Sequence, residues 1–518
     1  MPDIPKRKKF DKRRAKSHGL IRAFTVLAAL LVQLGLIMAL AFFLHAYAWK
    51  VYFFIEILSG FLVFSLVNDT EYNRQFWIVI VLALPGFGFI LYFFWGSERT
   101  NFSVHERMRQ SENRAKKRLP ENGETLIQLE EIHPNKIQLA RYLARDGFPV
   151  YRNTTVKYYP VGDAMEEEFI EDLKAAKHTI FMEYFIVYNG EWWQRIEDVL
   201  IQKASEGLDV RLLIDDFGSL LMDVHTMKKE LGQNGIRMYS FEPIHRRFTS
   251  LSFNYRNHQK ITVIDSNVGY TGGVNLADEY VNRIVRFGHW QDSAVKLVGD
   301  AVWSLTNMFL AMWEQCSRSV EENADQYRPQ LSPPDEGFVQ PFSGGPHRAP
   351  LNPVEGIYTR MINKARDYIY ITTPYLVLDE RMKSCLIDAA QSGVDVRIIT
   401  PRSYDKWYVH MVTISNYGRL LEYGVRIYEY LPGFLHEKDV VSDDECAICG
   451  TINLDYRSMY IHHENGVLFS NSPVVDEIKQ NITMIMKQCE EISLEKWLKR
   501  PIRQRFVQWL LKIFSPLF

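Results

Sequence analysis

Cysteine is scarce in this chain: there are five in 518 residues, with no regular framework between them. That excludes a small scaffold stapled by disulfides. Cys446 and Cys449 are spaced Cys-x-x-Cys, but no second pair completes a zinc site, so they read as two small residues of a strand. Net charge is almost absent, at −1. A broad basic groove of the kind nucleic acid requires is not indicated, and no nucleic-acid partner is expected. A cleavable leader is not expected either. The first apolar run, Ala23–Tyr47, is too long for a signal peptide, and no small-x-small site precedes a soluble start.

Long apolar runs are what the N-terminal part does have. A bilayer crossing takes about 20 residues. Ala23–Tyr47 has that length and is apolar apart from Thr25, Gln33 and His45. Phe76–Trp95 reads as a second span, with Pro85 and Gly86 tolerated as in other membrane helices. Val51–Val67, between them, is short and contains Glu56. Residues 1–22 carry nine Lys or Arg, and Arg99–Arg118 carries seven. Basic flanks stay in the cytoplasm, which requires an even number of crossings. The expectation is a multi-pass protein of the cell membrane with two crossings in the block 23–97. Val51–Val67 is then re-entrant or interfacial and the catalytic part cytoplasmic. Three crossings would turn the catalytic part outward.

Residues 98–135 read as a polar linker with some helix. Beyond it the chain repeats itself. Strand-like stretches at 178–187, 207–215 and 234–241 recur at 368–377, 393–401 and 423–430, and Gly-x-Asp-Val-Arg begins at both Gly207 and Gly393. Strands alternating with helical stretches predict an α/β fold of two halves, 136–340 and 341–495, with largely parallel sheets. Pro341–Pro353 reads as the boundary. Residues 496–518 form a basic tail with Trp497, Phe506, Trp509 and Phe514, read as an amphipathic helix on an anionic membrane surface.

The strongest signal is a motif that occurs twice. NHQKITVID holds His258, Lys260 and Asp265, and LHEKDVVSD holds His436, Lys438 and Asp443. Ten residues beyond each Asp stands an Asn: Asn275 in GGVN and Asn453 in GTIN. The residues inside each motif favour a strand, on which His and Lys two apart share a face. That pairs a nucleophile or proton carrier with a fixed positive charge, the combination a phosphate ester needs. The two lysines can clamp the non-bridging oxygens while Asn275 and Asn453 donate hydrogen bonds. Each histidine needs an orienting carboxylate. Asp292 lies downstream of the first motif and Glu464, in HHEN, downstream of the second. A strand there would put His462 and Glu464 on one face, which offers a metal reading. The lysine clamp makes a metal unnecessary, and none is expected. Asp265 and Asp443 complete the motifs and are expected to hold them together rather than to touch substrate.

This pattern resembles the HKD motif of the phospholipase D superfamily, whose two copies meet in one active site. The resemblance narrows to bacterial cardiolipin synthases through RNHQKITVID with GYTGGVNLADEY, GHWQDSAVKLVGDAV, PGFLHEKDVVSDDECAICGTINLDYRS and HENGVLF, together with the N-terminal membrane block. It implies two phospholipase D-like repeats forming a pseudo-two-fold catalytic unit behind transmembrane helices. It also implies phosphatidylglycerol as substrate, cardiolipin and glycerol as products, and no cofactor. His258 is then the nucleophile that carries the phosphatidyl group, and His436 the general acid and base. The second motif departs from the family at VVSDD and at the charged Asp439. The residues alone leave open a hydrolase or a transferase to another alcohol, and the oligomeric state, a homodimer included.

Overall fold

The computed structural model describes residues 48–67, 74–84, 86–92, 102–120, 123–220, 222–243, 255–334, 337–348, 351–512 and 514–515. The run Ala23–Tyr47 lies outside the described residues. The described N-terminal part is a helix, Ala48–Val67, packed on Arg74–Ala83 and the short Phe87–Leu91. The stretch read as a second span is thus interrupted at Gly86, which has φ 76°. Among the described residues no helix is long and apolar enough to cross a membrane. Ala48–Val67 carries Lys50 and Glu56 within its 20 residues.

The strands of the first half are β1 (Thr154–Tyr159), β2 (Thr179–Tyr184), β3 (Asp209–Asp215), β4 (Arg237–Phe241), β5 (Arg256–Asn257), β6 (Ile261–Ile264), β7 (Val268–Gly272), β8 (His289–Gln291) and β9 (Ala294–Gly299). Those of the second are β10 (Phe338–Gly344), β11 (Tyr368–Thr372), β12 (Leu376–Val377), β13 (Asp395–Pro401), β14 (Arg426–Tyr430), β15 (Gly433–Leu435), β16 (Val440–Ser442), β17 (Cys446–Gly450), β18 (Leu454–Asp455), β19 (His462–Ser470) and β20 (Cys489–Ile492). The first main sheet runs β1-β9-β7-β6-β2-β3-β4. The second runs β10-β19-β17-β16-β11-β13-β14-β20, the same order with one strand added.

The sheets are mixed rather than largely parallel. Within these two strand orders, β2-β3-β4 and β11-β13-β14 pair in parallel, through helical crossovers. The other pairings along these two sheets are antiparallel. The reason is local. Asp265 and Ser266 have φ 51° and 53°, and Asp443 and Asp444 have φ 57° and 58°. Two left-handed residues in succession make a tight hairpin turn whose twist suits antiparallel strands. Each motif therefore ends in a hairpin, β6–β7 and β16–β17. The boundary also moves: Pro341 lies inside β10, the edge strand of the second sheet, so that half begins at Phe338.

One apolar core runs from Phe181 of β2 to Ile492 of β20. The helix Val302–Ser317 is mostly apolar and buried on every side through most of its length. It packs on strands of the first sheet and on β10, while Pro473–Met486 packs on the second sheet and on β1. Each half thus lends a helix to the other, which fixes the two sheets as one unit.

Candidate active site

The motif histidines and lysines do not lie on strands. His258–Lys260 is an extended segment between β5 and β6, and His436–Lys438 lies between β15 and β16. Flanking strands hold each segment from the opposite half. β5 pairs in parallel with the start of β19, and the His258 N–H donates to the His463 carbonyl at 2.9 Å. β15 pairs in parallel with β8, and the His436 N–H donates to the Gln291 carbonyl at 2.7 Å.

These two short ladders swap the carboxylates. His258 Nδ1 lies 3.0 and 2.9 Å from the two oxygens of Glu464. His436 Nδ1 lies 2.5 Å from Asp292 Oδ2. The sequence paired each histidine with the carboxylate downstream in its own half; the structure crosses them. A residue's place in the chain says nothing of which half its strand is laid against, so spacing alone could not reveal this. The consequence is chemical. Neither half holds a complete histidine–carboxylate pair.

All four groups are buried, and burial governs the charge of the two histidines and of Asp292. It pushes both imidazoles well below the usual histidine range, and Lys260 and Lys438 push them further down. Burial also lowers Lys260 to about 7 and raises Asp292 to about 7. Each lysine turns back onto its own motif. Lys260 Nζ donates to the His258 carbonyl at 2.7 Å, and Lys438 Nζ to the His436 carbonyl. Lys438 Nζ also lies 2.8 Å from His436 Nδ1. The two ammonium groups disfavour each other's charge. A phosphodiester anion between them would restore both.

Asn275 is buried, its Oδ1 accepting from the Ile186 N–H at 3.0 Å and its side chain meeting Tyr280. Asn453 is buried, its backbone N–H donating to Ser458 Oγ at 3.2 Å. Asp265 and Asp443 stand at the far ends of the motif hairpins. Asp265 accepts the backbone N–H groups of Lys177, His178 and Thr179, and Asp443 those of Arg366, Asp367 and Tyr368. They tie each motif strand to the loop that enters the central strand. Cys446 and Cys449 are buried in β17, where burial pushes the Cys446 thiol up to about 12.

Several contributors went unread in the sequence. Glu464 also accepts from Ser458 Oγ at 2.8 Å and from Thr451 Oγ1. The Thr in GTIN, where the first copy has Gly, was the available signal. Tyr280, Trp290 and Phe434 pack around the His436 ring, and Phe185 and His462 around that of His258. His258, His462 and Glu464 place potential metal-ligand atoms within 4.8 Å of one another.

A family model described as "Cardiolipin synthase, PLD-like domain" matches residues 169–295 and 358–486. A second, "Phospholipase D-nuclease N-terminal", matches residues 57–97. The chain is 37% identical to an uncharacterized protein of Streptococcus mutans, over 85% of this chain and 95% of that one. It is 32% identical to a cardiolipin synthase of a Geobacillus species, over 88% of this chain and 91% of that one. Phosphatidylserine synthase of Haemophilus influenzae shares the fold, with a TM-score of 0.57, 17% identity, and coverage of 74% of this chain and 97% of that one. The duplicated motif, its crossed carboxylates and these relatives agree: the chain belongs to the bacterial cardiolipin synthases of the phospholipase D superfamily.

Proposed function

We propose that this chain transfers a phosphatidyl group from one phosphatidylglycerol to another, giving cardiolipin and glycerol. The observation that carries the reading is the pair of buried histidines, each held by a carboxylate of the opposite half and each with a buried lysine beside it. In this reading the free nitrogen of His258 attacks phosphorus, and the bond from phosphorus to the glycerol oxygen breaks. His436, protonated, gives its proton to the departing alkoxide. The entering anion supports that state, because its charge opposes the two lysines that hold the histidine neutral. A hydroxyl of the second phosphatidylglycerol then loses its proton to His436 and attacks phosphorus. The phosphorus–nitrogen bond breaks and His258 is regenerated. Lys260, Lys438 and the two asparagines stabilise the charge that gathers on the non-bridging oxygens. No metal is required, so chelators should leave turnover intact; a loss restored by one divalent ion would defeat the lysine clamp.

The enzyme is proposed to sit at the membrane with its catalytic unit on the cytoplasmic side. Basic residues on both flanks of the apolar block support that side. Phe53, Phe54, Phe61 and Phe64 of Ala48–Val67 are exposed, as are Ile502, Phe506, Trp509 and Leu510 of the tail helix Ile502–Lys512. The tail is split. Trp497 anchors it, donating Nε1–H to the Ile414 carbonyl at 2.8 Å, while the exposed residues are left to face lipid. Purified enzyme given phosphatidylglycerol alone tests the function. Cardiolipin plus glycerol is expected, whereas phosphatidic acid alone would make the chain a hydrolase.

A further inference from the structure

His462 lies at the reaction centre, yet the mechanism above gives it no role. Its ring is 7% exposed, with its centroid 5.4 Å from that of His258 and tilted 36° to it. Arg457 Nε–H donates to His462 Nε2 at 2.9 Å. A guanidinium can only donate, so Nε2 must be the acceptor and the ring proton resides on Nδ1. His462 Nδ1 is 3.5 Å from Glu464 Oε1, beyond a strong hydrogen bond. It has no closer partner and is buried. Glu464 is the carboxylate that orients His258. Arg457 opens a π-helical turn, Arg457–Ile461, that runs directly into β19, whose first residue is His462.

The opposite half has the same place filled differently. On β8, Trp290 precedes Asp292 by two residues, as His462 precedes Glu464. The Trp290 ring centroid is 5.4 Å from that of His436, and its buried Nε1–H is turned to Asp292. Each orienting carboxylate is therefore overlooked by a ring N–H from its own strand. An indole has one nitrogen and a fixed proton. An imidazole has two, and only a partner on Nε2 makes Nδ1 the donor.

We infer that His462, with its tautomer set by Arg457, is a positioning residue. It braces Glu464 so that Glu464 holds His258 with its proton on Nδ1 and its free nitrogen toward phosphorus. The inference rests on His258 being the nucleophile. It also removes the metal reading of this cluster, because the His462 nitrogen facing Glu464 carries a proton and not a lone pair.

The test is the single-turnover rate at which the full-length enzyme forms the phosphatidyl adduct from labelled phosphatidylglycerol, quenched in alkali and mapped by peptide. His462→Phe should slow the adduct on the His258 peptide by about tenfold, the scale of one hydrogen bond to a charged group, at unchanged lipid binding. His462→Trp, which copies the other half, should keep most of the rate. Arg457→Leu should slow the wild-type background severalfold and leave the His462→Trp background unmoved, because an indole needs no tautomer lock. That cycle decides the matter even if His462→Phe does not fold. Equal slowing by Arg457→Leu in both backgrounds, or a His462→Trp enzyme slowed by tenfold or more, would overturn the inference. A wild-type adduct on the His436 peptide would instead overturn the nucleophile assignment on which it rests.

Discussion

The segments His258-Gln259-Lys260-Ile261 and His436-Glu437-Lys438-Asp439 occupy the same place in two nearly identical sheets, yet their surroundings differ. His258 meets both oxygens of a carboxylate that also takes the hydroxyls of Thr451 and Ser458. That leaves its proton one place to be. His436 Nδ1 is shared between Lys438 and Asp292, with Asp292 raised to about 7 by burial. There the carboxylate itself can take up the proton near neutral pH, which suits a group that must give a proton and take it back. The residue facing each carboxylate from the Gly-rich strand matches this difference. Thr451 donates to Glu464, whereas a Cβ at Gly273, its counterpart, would lie 1.8 Å from Asp292 Oδ1. Duplication supplied two copies of one geometry, and a few substitutions gave them different proton chemistry.

The most severe way to break the symmetry is to remove each histidine. His258→Ala should abolish the covalent adduct and lower turnover by about four orders of magnitude or more. His436→Ala should slow both formation and breakdown of an adduct still found on the His258 peptide. An adduct on the His436 peptide that survives His258→Ala would reverse the roles.

The lysines come next. Lys260→Met and Lys438→Met should each cost about a hundredfold to a thousandfold in kcat, as loss of one charge-stabilising donor does elsewhere. They should part company in the pH–rate profile. Lys438 suppresses the charge of His436 more than Lys260 does, and the order reverses for His258. Lys438→Met should therefore move the limb belonging to His436 to higher pH by more than Lys260→Met does. Equal movement would mean that the two lysines act as one diffuse charge.

The motif aspartates sharpen the comparison in stability rather than in rate. Both accept three backbone N–H groups, but Asp443 alone also pairs with a buried lysine, Lys136, at 2.6 Å. Asp443→Asn leaves that buried ammonium only Glu445, at 4.0 Å, as a carboxylate partner and should destabilise by about 3 kcal/mol. Asp265→Asn should cost about 1–2 kcal/mol. Thermal melts of the two variants that fall together would remove Lys136 from the account.

The smallest effect concerns Asp439, where the first copy has Ile261. Burial raises its carboxyl to about 6, with the Tyr158 hydroxyl donating to it at 2.7 Å and thereby opposing the rise. Between its unfolded value near 4 and about 6 the folded protein binds the extra proton. Its contribution to stability therefore falls as pH rises through that window, and the penalty is complete above it. Asp439→Asn should stabilise by roughly 1–2 kcal/mol at pH 8 and by nothing at pH 4. A gain that is equal at both pH values would mean that packing, not charge, is what changed.

The sequence by itself determined the duplication, both motifs, the two carboxylates and three strands of each half. These are local facts. A β-branched run, a Gly-rich turn or a His-x-Lys spacing announces itself within ten residues, and a repeat announces itself by recurring. It went wrong where distant segments decide. The largely parallel sheets became mixed because the aspartates at the motif ends adopt left-handed turns, which His-x-Lys spacing does not signal. The boundary at Pro341 fell inside β10 because that strand's partner, β19, lies more than a hundred residues away. Only the tertiary structure crossed Asp292 to His436 and Glu464 to His258. The two ladders that do so, β8 with β15 and β5 with β19, are two or three residues long and carry no pattern a sequence could advertise. The packing of two whole sheets brings them together, and that same packing strips water from the site and sets the charge of its histidines and lysines.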